Sequence, residues 1–242
     1  QGNLTSTQTI SGTETTAITL PDGTIQNFNP GGTLASIINL DGSKQEYTYT
    51  NGVLSSIKLT DKDGKITIQN LDAAGNVTSV LLPDGTKQFF NAANQLTRIE
   101  TPDGISQDYT YNTTGVLTQI KITDSGKVTI QNLDAAGRIT SIQLSDGTSQ
   151  EYFYTDDILS QIKVTDPQGK ITIQNLDPFG NIISLILPDG TQQFLNTTGQ
   201  VLKVVNPDGT VQEFFYTDGV LSQIKITDPQ DQVTIQNLDT NG

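Results

Sequence analysis

The hexapeptide Thr-Ile-Gln-Asn-Leu-Asp occurs four times in this chain, at residues 67–72, 129–134, 172–177 and 234–239. The intervals between copies are 62, 43 and 62 residues. Repetition at fixed spacing requires one supersecondary unit used many times, each copy touching mainly its neighbours. A conventional globule with one central core does not carry this signature.

The punctuation between copies is equally regular. Asp-Gly pairs stand at 22–23, 41–42, 63–64, 84–85, 103–104, 146–147, 189–190 and 208–209. Ser125-Gly126, Gln168-Gly169 and Gln230-Asp231 fill the equivalent slots. The spacing cycles through units of 22, 21 and 19 residues, and the middle cycle lacks its 19-residue member, which accounts for the interval of 43. Within a 21-residue unit, Lys65-Ile66-Thr67-Ile68-Gln69 alternates polar with apolar, the period of a half-buried strand. Asp72-Ala73-Ala74-Gly75 then reads as a turn, residues 76–82 as the return strand, and Pro83-Asp84-Gly85 as the next reversal. In a 22-residue unit the same logic gives Tyr109-Thr110-Tyr111, a turn at 112–115 and a strand over 116–123. No segment has helical periodicity. The spacing predicts an all-β chain of tandem hairpins of about 20 residues. Together they would form a curved or spiral antiparallel sheet, solenoid-like, as a single repeat domain over 1–242. It holds roughly eleven units, with an atypical first unit at 1–21, as terminal repeats often are.

Composition agrees with a thin, solvated sheet. Apolar residues make up 33% and charged residues 16% of the 242, so polar uncharged side chains dominate. The net charge of −13, with no basic cluster, repels nucleic acid and anionic lipid. No apolar run is long enough for a membrane-spanning helix, so no membrane insertion is expected. Cys, His, Met and Trp are absent, which removes thiol and imidazole nucleophiles, bases and metal ligands together. The lack of Met and the start at Gln1 read as a mature secreted product, extracellular or at a cell surface.

Tyr109-Thr-Tyr-Asn-Thr-Thr-Gly-Val-Leu117 resembles the tyrosine–aspartate (YD) repeats of Rhs-type and teneurin-type proteins, Tyr-x-Tyr-Asp-x-x-Gly-x-Leu. Asn112 stands where that pattern has Asp. The 21-residue units keep the Asp and lose the Tyr, as in Leu71-Asp72-Ala-Ala-Gly75-Asn-Val77. The resemblance covers nearly the whole chain and implies a continuous strip of β-hairpins like the walls of cargo-enclosing shells. It does not bring the shell function with it. The self-cleaving aspartyl core segment of those shells has no counterpart in this sequence, and eleven or so units are too few to enclose a protein.

The two ends are in phase with the repeat. The C-terminal Gln236-Asn237-Leu238-Asp239-Thr240-Asn241-Gly242 stops at the position of Gly75, and Gly2-Asn3-Leu4-Thr5-Ser6 matches Gly75-Asn76-Val77-Thr78-Ser79. A hairpin split across the termini predicts an assembly interface of Asn3, Leu4, Thr5 and Thr7 against Ile235, Gln236, Asn237, Leu238 and Asp239. The strands either close a ring within one chain or pair head to tail between copies.

Chemistry is sparse. A carboxylate pair among Asp156, Asp157 and Glu46 is conceivable, but a hairpin strip lacks the cleft that perturbs such acids, so no enzyme is expected. No cofactor is expected, with weak Ca²⁺ association at the acidic turns as the one exception. Lys58, Lys121, Lys163 and Lys225, each between two aliphatic residues, read as solubility and edge protection on a solvated face. Gln69, Gln131, Gln174 and Gln236 with their neighbouring Asn residues suggest amide ladders between stacked turns of a spiral. Tyr47, Tyr49, Tyr109, Tyr111, Tyr152, Tyr154, Phe214 and Tyr216 read as cross-strand packing, with a sugar platform as the functional alternative. The leading expectation is a secreted structural protein whose copies join head to tail by β-strand pairing into a fibre or matrix. The alternatives are a polysaccharide-binding or adhesive module, and a fragment of a larger Rhs-like shell.

Overall fold

The computed structural model describes residues 6–238. Those residues form 23 strands joined by short turns, with no helix among them. In chain order they are β1 (Thr7–Ser11), β2 (Glu14–Thr19), β3 (Ile25–Phe28), β4 (Leu34–Ile38), β5 (Lys44–Thr50) and β6 (Val53–Thr60). There follow β7 (Ile66–Leu71), β8 (Val77–Leu81), β9 (Lys87–Phe90), β10 (Leu96–Glu100), β11 (Ser106–Tyr111) and β12 (Leu117–Asp124). Next come β13 (Lys127–Leu133), β14 (Ile139–Gln143), β15 (Ser149–Thr155), β16 (Ile158–Thr165), β17 (Ile171–Leu176) and β18 (Ile182–Ile186). The last are β19 (Gln192–Leu195), β20 (Val201–Val205), β21 (Val211–Thr217), β22 (Val220–Thr227) and β23 (Val233–Asn237). The all-β hairpin repeat expected from the turn spacing is what the chain adopts.

Two compact units divide the strands. The first holds β1 to β10 and the second β13 to β23, with β11 and β12 each divided between them. Inside each unit every strand pairs antiparallel with the next in sequence, from Thr7↔Thr19 at β1·β2 to Lys225↔Ile235 at β22·β23. Successive hairpins explain this meander, because a short turn can only return the chain alongside the strand it has just left.

Three turn chemistries make the reversals. In the first, Asp72 opens the turn: Gly75 N–H donates to Asp72 C=O at 3.0 Å and Asp72 N–H to Asn76 C=O at 2.9 Å. The Asp72 carboxylate accepts from the amides of Ala74 and Asn76, both at 2.9 Å, and Gly75 takes φ of 88°. A register shift follows at Asn70/Leu71, the bulge that such four-residue turns leave behind. In the second, Asp84 sits third, and its carboxylate accepts from Thr86 N–H at 2.9 Å. Here Gly85 is needed twice over, for φ of 88° and because a Cβ would lie 3.0 Å from the ring of Pro102, two turns further along the chain. The third is a two-residue hairpin, Asn51-Gly52 and Asp218-Gly219, with both residues at positive φ.

No hydrophobic residue among those described is fully buried. The sheet therefore has two half-exposed faces instead of one core, and its stability comes from strand ladders and cross-strand side-chain rows.

Candidate functional site

The registers sort every strand-interior side chain onto one of two faces. In the second unit one row runs Tyr152, Ile162, Gln174, Leu185, Gln193, Val204, Gln212 and Ile226 across consecutive strands. The first unit repeats it as Tyr47, Ile57, Gln69, Val80, Gln88, Ile99 and Gln107. Each odd-numbered strand supplies a glutamine to this face and each even-numbered strand an aliphatic residue. The strand-interior charges lie on the opposite face, while Glu14, Asp124 and Lys127 stand at hairpin tips.

That charged face pairs its ions across strands. Lys58 lies 3.0 Å from Glu46, Lys163 3.0 Å from Glu151 and Lys225 2.8 Å from Glu213. Arg98 bridges Glu100 at 2.8 Å and Asp108 at 2.5 Å. Three of the lysines read from sequence as simple solvating charges thus neutralise the carboxylate directly opposite; Lys121 is exposed, on the side of β12 that carries Gln119, whose amide reaches Asn132. Beside the ion pairs run amide tracks: Gln161 donates to Asn175 at 2.8 Å and Asn175 to Ser184 at 2.8 Å, with Gln119, Asn132 and Ser141 repeating the pattern. The Asn residues of the hexapeptide form ladders within the sheet, and their neighbouring Gln residues occupy the other face.

The tyrosines act locally. Tyr49 O–H donates to Leu34 C=O at 3.0 Å, Tyr154 to Ile139 C=O at 2.8 Å and Tyr216 to Val201 C=O at 2.8 Å. Each reaches back over one intervening turn to the start of the preceding return strand. Tyr47 instead donates to Gln45, two residues earlier on its own strand, at 2.7 Å.

The acids raised as catalytic candidates are dispersed. Asp156 and Asp157 form the exposed tip of one hairpin, and Asp157 pairs with Arg138 at 2.5 Å. Hydrogen bonds from Lys44 and Lys58 hold the Glu46 carboxyl below its ordinary range, opposite to the shift a general acid needs. Turn carboxylates are depressed as well: the side chain and amide of Asn76 lower Asp72, and the Thr86 amide lowers Asp84. Among the described residues no group of three or more Asp, Glu, His or Cys side chains converges on a metal-sized space. A depression of ≈ 400 Å³ beside Thr50, Leu54 and Asp72 is open to solvent.

Of the residues assigned to an assembly interface, Asn3, Leu4, Thr5 and Asp239 lie outside the described residues. Thr7 begins β1 opposite Thr19. Ile235, Gln236 and Asn237 lie in β23, all exposed, and Leu238 donates its N–H to Ser222 C=O at 2.9 Å. These residues belong to different units. β1 opens a hairpin, pairing Ser11 with Glu14 as β5 pairs Thr50 with Val53. The strands that mate with the earlier hexapeptide copies are return strands: β8, β14 and β18.

Comparison with known proteins gives one decisive match. Residues 104–242 match the family model described as Teneurin YD-shell. No curated protein matches the chain. Among solved structures, the TcdB2–TccC3–Cdc42 complex is similar at 16% identity and a TM-score of 0.31, over 93% of this chain and 16% of that one. The Photorhabdus luminescens Tc holotoxin pore gives the same figures. The TCP10 domain of Danio rerio CPAP, in complex with a STIL peptide, is 18% identical at a TM-score of 0.33, over 97% of this chain and 100% of that domain. The chain spans 16% of the length of the toxin-complex chains it matches. The family assignment rests on the family model and on the repeat residues themselves.

Proposed function

Because this chain belongs to the teneurin YD-shell family, we propose that it is a structural wall element that builds surfaces by adding β-strands at its sheet edges and performs no chemistry of its own. The observation that carries this reading is the sheet itself. Inside each unit every hairpin meets its neighbour through backbone ladders, and no apolar side chain among the described residues is fully buried. Such a sheet gains stability by lateral extension, since each added strand satisfies a row of donors and acceptors.

Two wider assemblies fit: a place in a larger Rhs-like shell, which family membership supports, and a fibre or matrix of copies joined by the same strand ladders that hold the hairpins together. An extracellular or cell-surface setting belongs to the same proposal. Size measurement by light scattering across a concentration series, with electron microscopy of the largest species, tests edge-wise assembly. Growth with concentration is expected; a monomer throughout overturns it.

Saccharide adhesion is a second reading, favoured by one row on the charged face. Phe153 and Phe194, 44% and 38% exposed, flank Gln161, Asn175 and Ser184, an aromatic–amide–aromatic arrangement suited to sugar rings. A glycan array probed with wild type and Phe194→Ala tests it; equal or absent binding by both rules it out.

A further inference from the structure

Resting on the saccharide-adhesion reading, we infer that the track from Phe153 to Phe194 takes five consecutive rings of an extended β-1,4-linked pyranose chain, one ring per strand. The track is a continuous row. Phe153 stands opposite Gln161, Gln161 opposite Asn175, Asn175 opposite Ser184 and Ser184 opposite Phe194. It lies wholly within the second unit. Its ends are exposed aromatic rings, and its three middle side chains are half-exposed, open to a ligand lying on the face.

The other copies of the track separate what holds the sheet together from what is added to it. An Asn–Ser hydrogen bond recurs at Asn27–Ser36, Asn70–Ser79, Asn132–Ser141 and Asn175–Ser184, at 2.8 to 2.9 Å. That bond belongs to the scaffold. The position after the serine is Glu46, Phe89, Glu151 and Phe194 in turn, and the two glutamates pair with Lys58 and Lys163. At the leading end, the track through Asn70 begins with Thr48 where the one through Asn175 begins with Phe153. Phe215, Gln223 and Asn237 repeat the leading end alone, because β23 is the last strand described. Among the described residues, only the track through Gln161 carries an aromatic ring at both ends.

Spacing and hydrogen-bond capacity together name the ligand. Four strand steps separate the two rings, about 19 Å. A pyranose chain with equatorial β-1,4 linkages extends as a ribbon and advances about 5 Å per ring, close to one strand step. Its first and fifth rings therefore reach Phe153 and Phe194, each stacking a C–H face on an aromatic ring. The three rings between them lie over groups that seek hydroxyls. After their mutual bonds, Gln161 and Asn175 each retain an amide N–H, Gln161 keeps its carbonyl oxygen, and Ser184 keeps its hydroxyl hydrogen. Small rotations at successive glycosidic bonds let the ribbon follow the twist of the sheet. An α-1,4-linked chain curls and loses step with the strands. The net charge of −13 works against acidic polysaccharides, which narrows the class to neutral chains.

Calorimetric titration of the full chain with β-1,4-linked oligomers of glucose, xylose and N-acetylglucosamine, two to six rings long, tests the assignment. In at least one series affinity should rise about tenfold between four rings and five, where the second phenylalanine is reached, and level off at six. Phe153→Ala and Phe194→Ala should each remove that step while keeping the β circular-dichroism signature, since both rings are exposed. Phe89→Ala, at the matching place in the first unit, should leave the step intact. The wild-type length series decides the matter even where a variant fails to fold. A series without the step, or α-1,4-linked glucose oligomers bound as tightly, overturns the inference and leaves saccharide adhesion standing. Array binding confined to other glycans does the same. No binding to any glycan sinks both ideas.

Discussion

The two faces of the sheet share one backbone, yet they hold themselves together differently. The charged face relies on directional pairs: Glu213 with Lys225, Asn175 with Ser184. The uncharged face alternates glutamine with aliphatic residues, and burial there is shared among half-exposed side chains such as Ile162, Gln174 and Leu185. Directional pairs tolerate solvent because each group already has its partner, whereas an aliphatic row gains only by excluding water. A single-layered sheet can thus place specificity on one side and apolar contact on the other.

The sharpest way to break that contrast is to invert it at one strand. Ile162→Lys should cost about 2 kcal/mol, because a charge enters a row with no counter-ion; Lys163→Ile on the other face should cost less than about 1 kcal/mol. Urea unfolding of the two variants measures the difference, and equal costs would erase the distinction between faces.

The turns belong to neither face, and acid should act there. Hydrogen bonds from backbone and side-chain groups depress the carboxyls of Asp72, Asp84, Asp146, Asp177 and Asp189 in the folded chain. A depressed folded pKa contributes stability above the unfolded value near 3.9, and that contribution is lost as pH falls through the folded value. Thermal midpoints should therefore fall as pH drops below about 4. Asp72→Asn with Asp177→Asn should flatten that limb, since Asn112 already fills the same role with two amides at 3.0 and 2.9 Å. An unchanged acid limb would place the sensitivity elsewhere.

Gly85→Ala should cost about 1.5 kcal/mol by forcing an L-residue into left-handed backbone against Pro102. Cutting the amide track with Asn175→Ala should cost about 1 kcal/mol, chiefly by orphaning Ser184 and Gln161. Lys225→Gln is the mildest change, within about 0.5 kcal/mol and vanishing in high salt. If the lysine proved costlier than the asparagine, ion pairs rather than amides would organise the charged face. Differential scanning calorimetry at two salt concentrations separates them.

Much of this was legible in the sequence. The Asp-Gly spacing and the alternation in Lys65-Ile66-Thr67-Ile68-Gln69 located nearly every strand, because turn geometry and strand period are local properties. What could not be read was partnership across strands. Lys163 meets Glu151 twelve positions away and Asn175 meets Ser184 nine away, distances set by bulges at Phe153/Tyr154 and Asn175/Leu176. A bulge adds one residue and moves every side chain beyond it to the other face, so alternation alone cannot assign faces across a turn.

The interval shortened to 43 residues marks where the repeat has dropped a 19-residue member, and the fold explains why that loss is harmless. Each member contributes a down-stroke and an up-stroke together, so removing one leaves the chain heading the same way with the same side showing. Growth and shrinkage of such a wall should proceed in whole there-and-back steps. An odd number of strokes would turn everything downstream inside out.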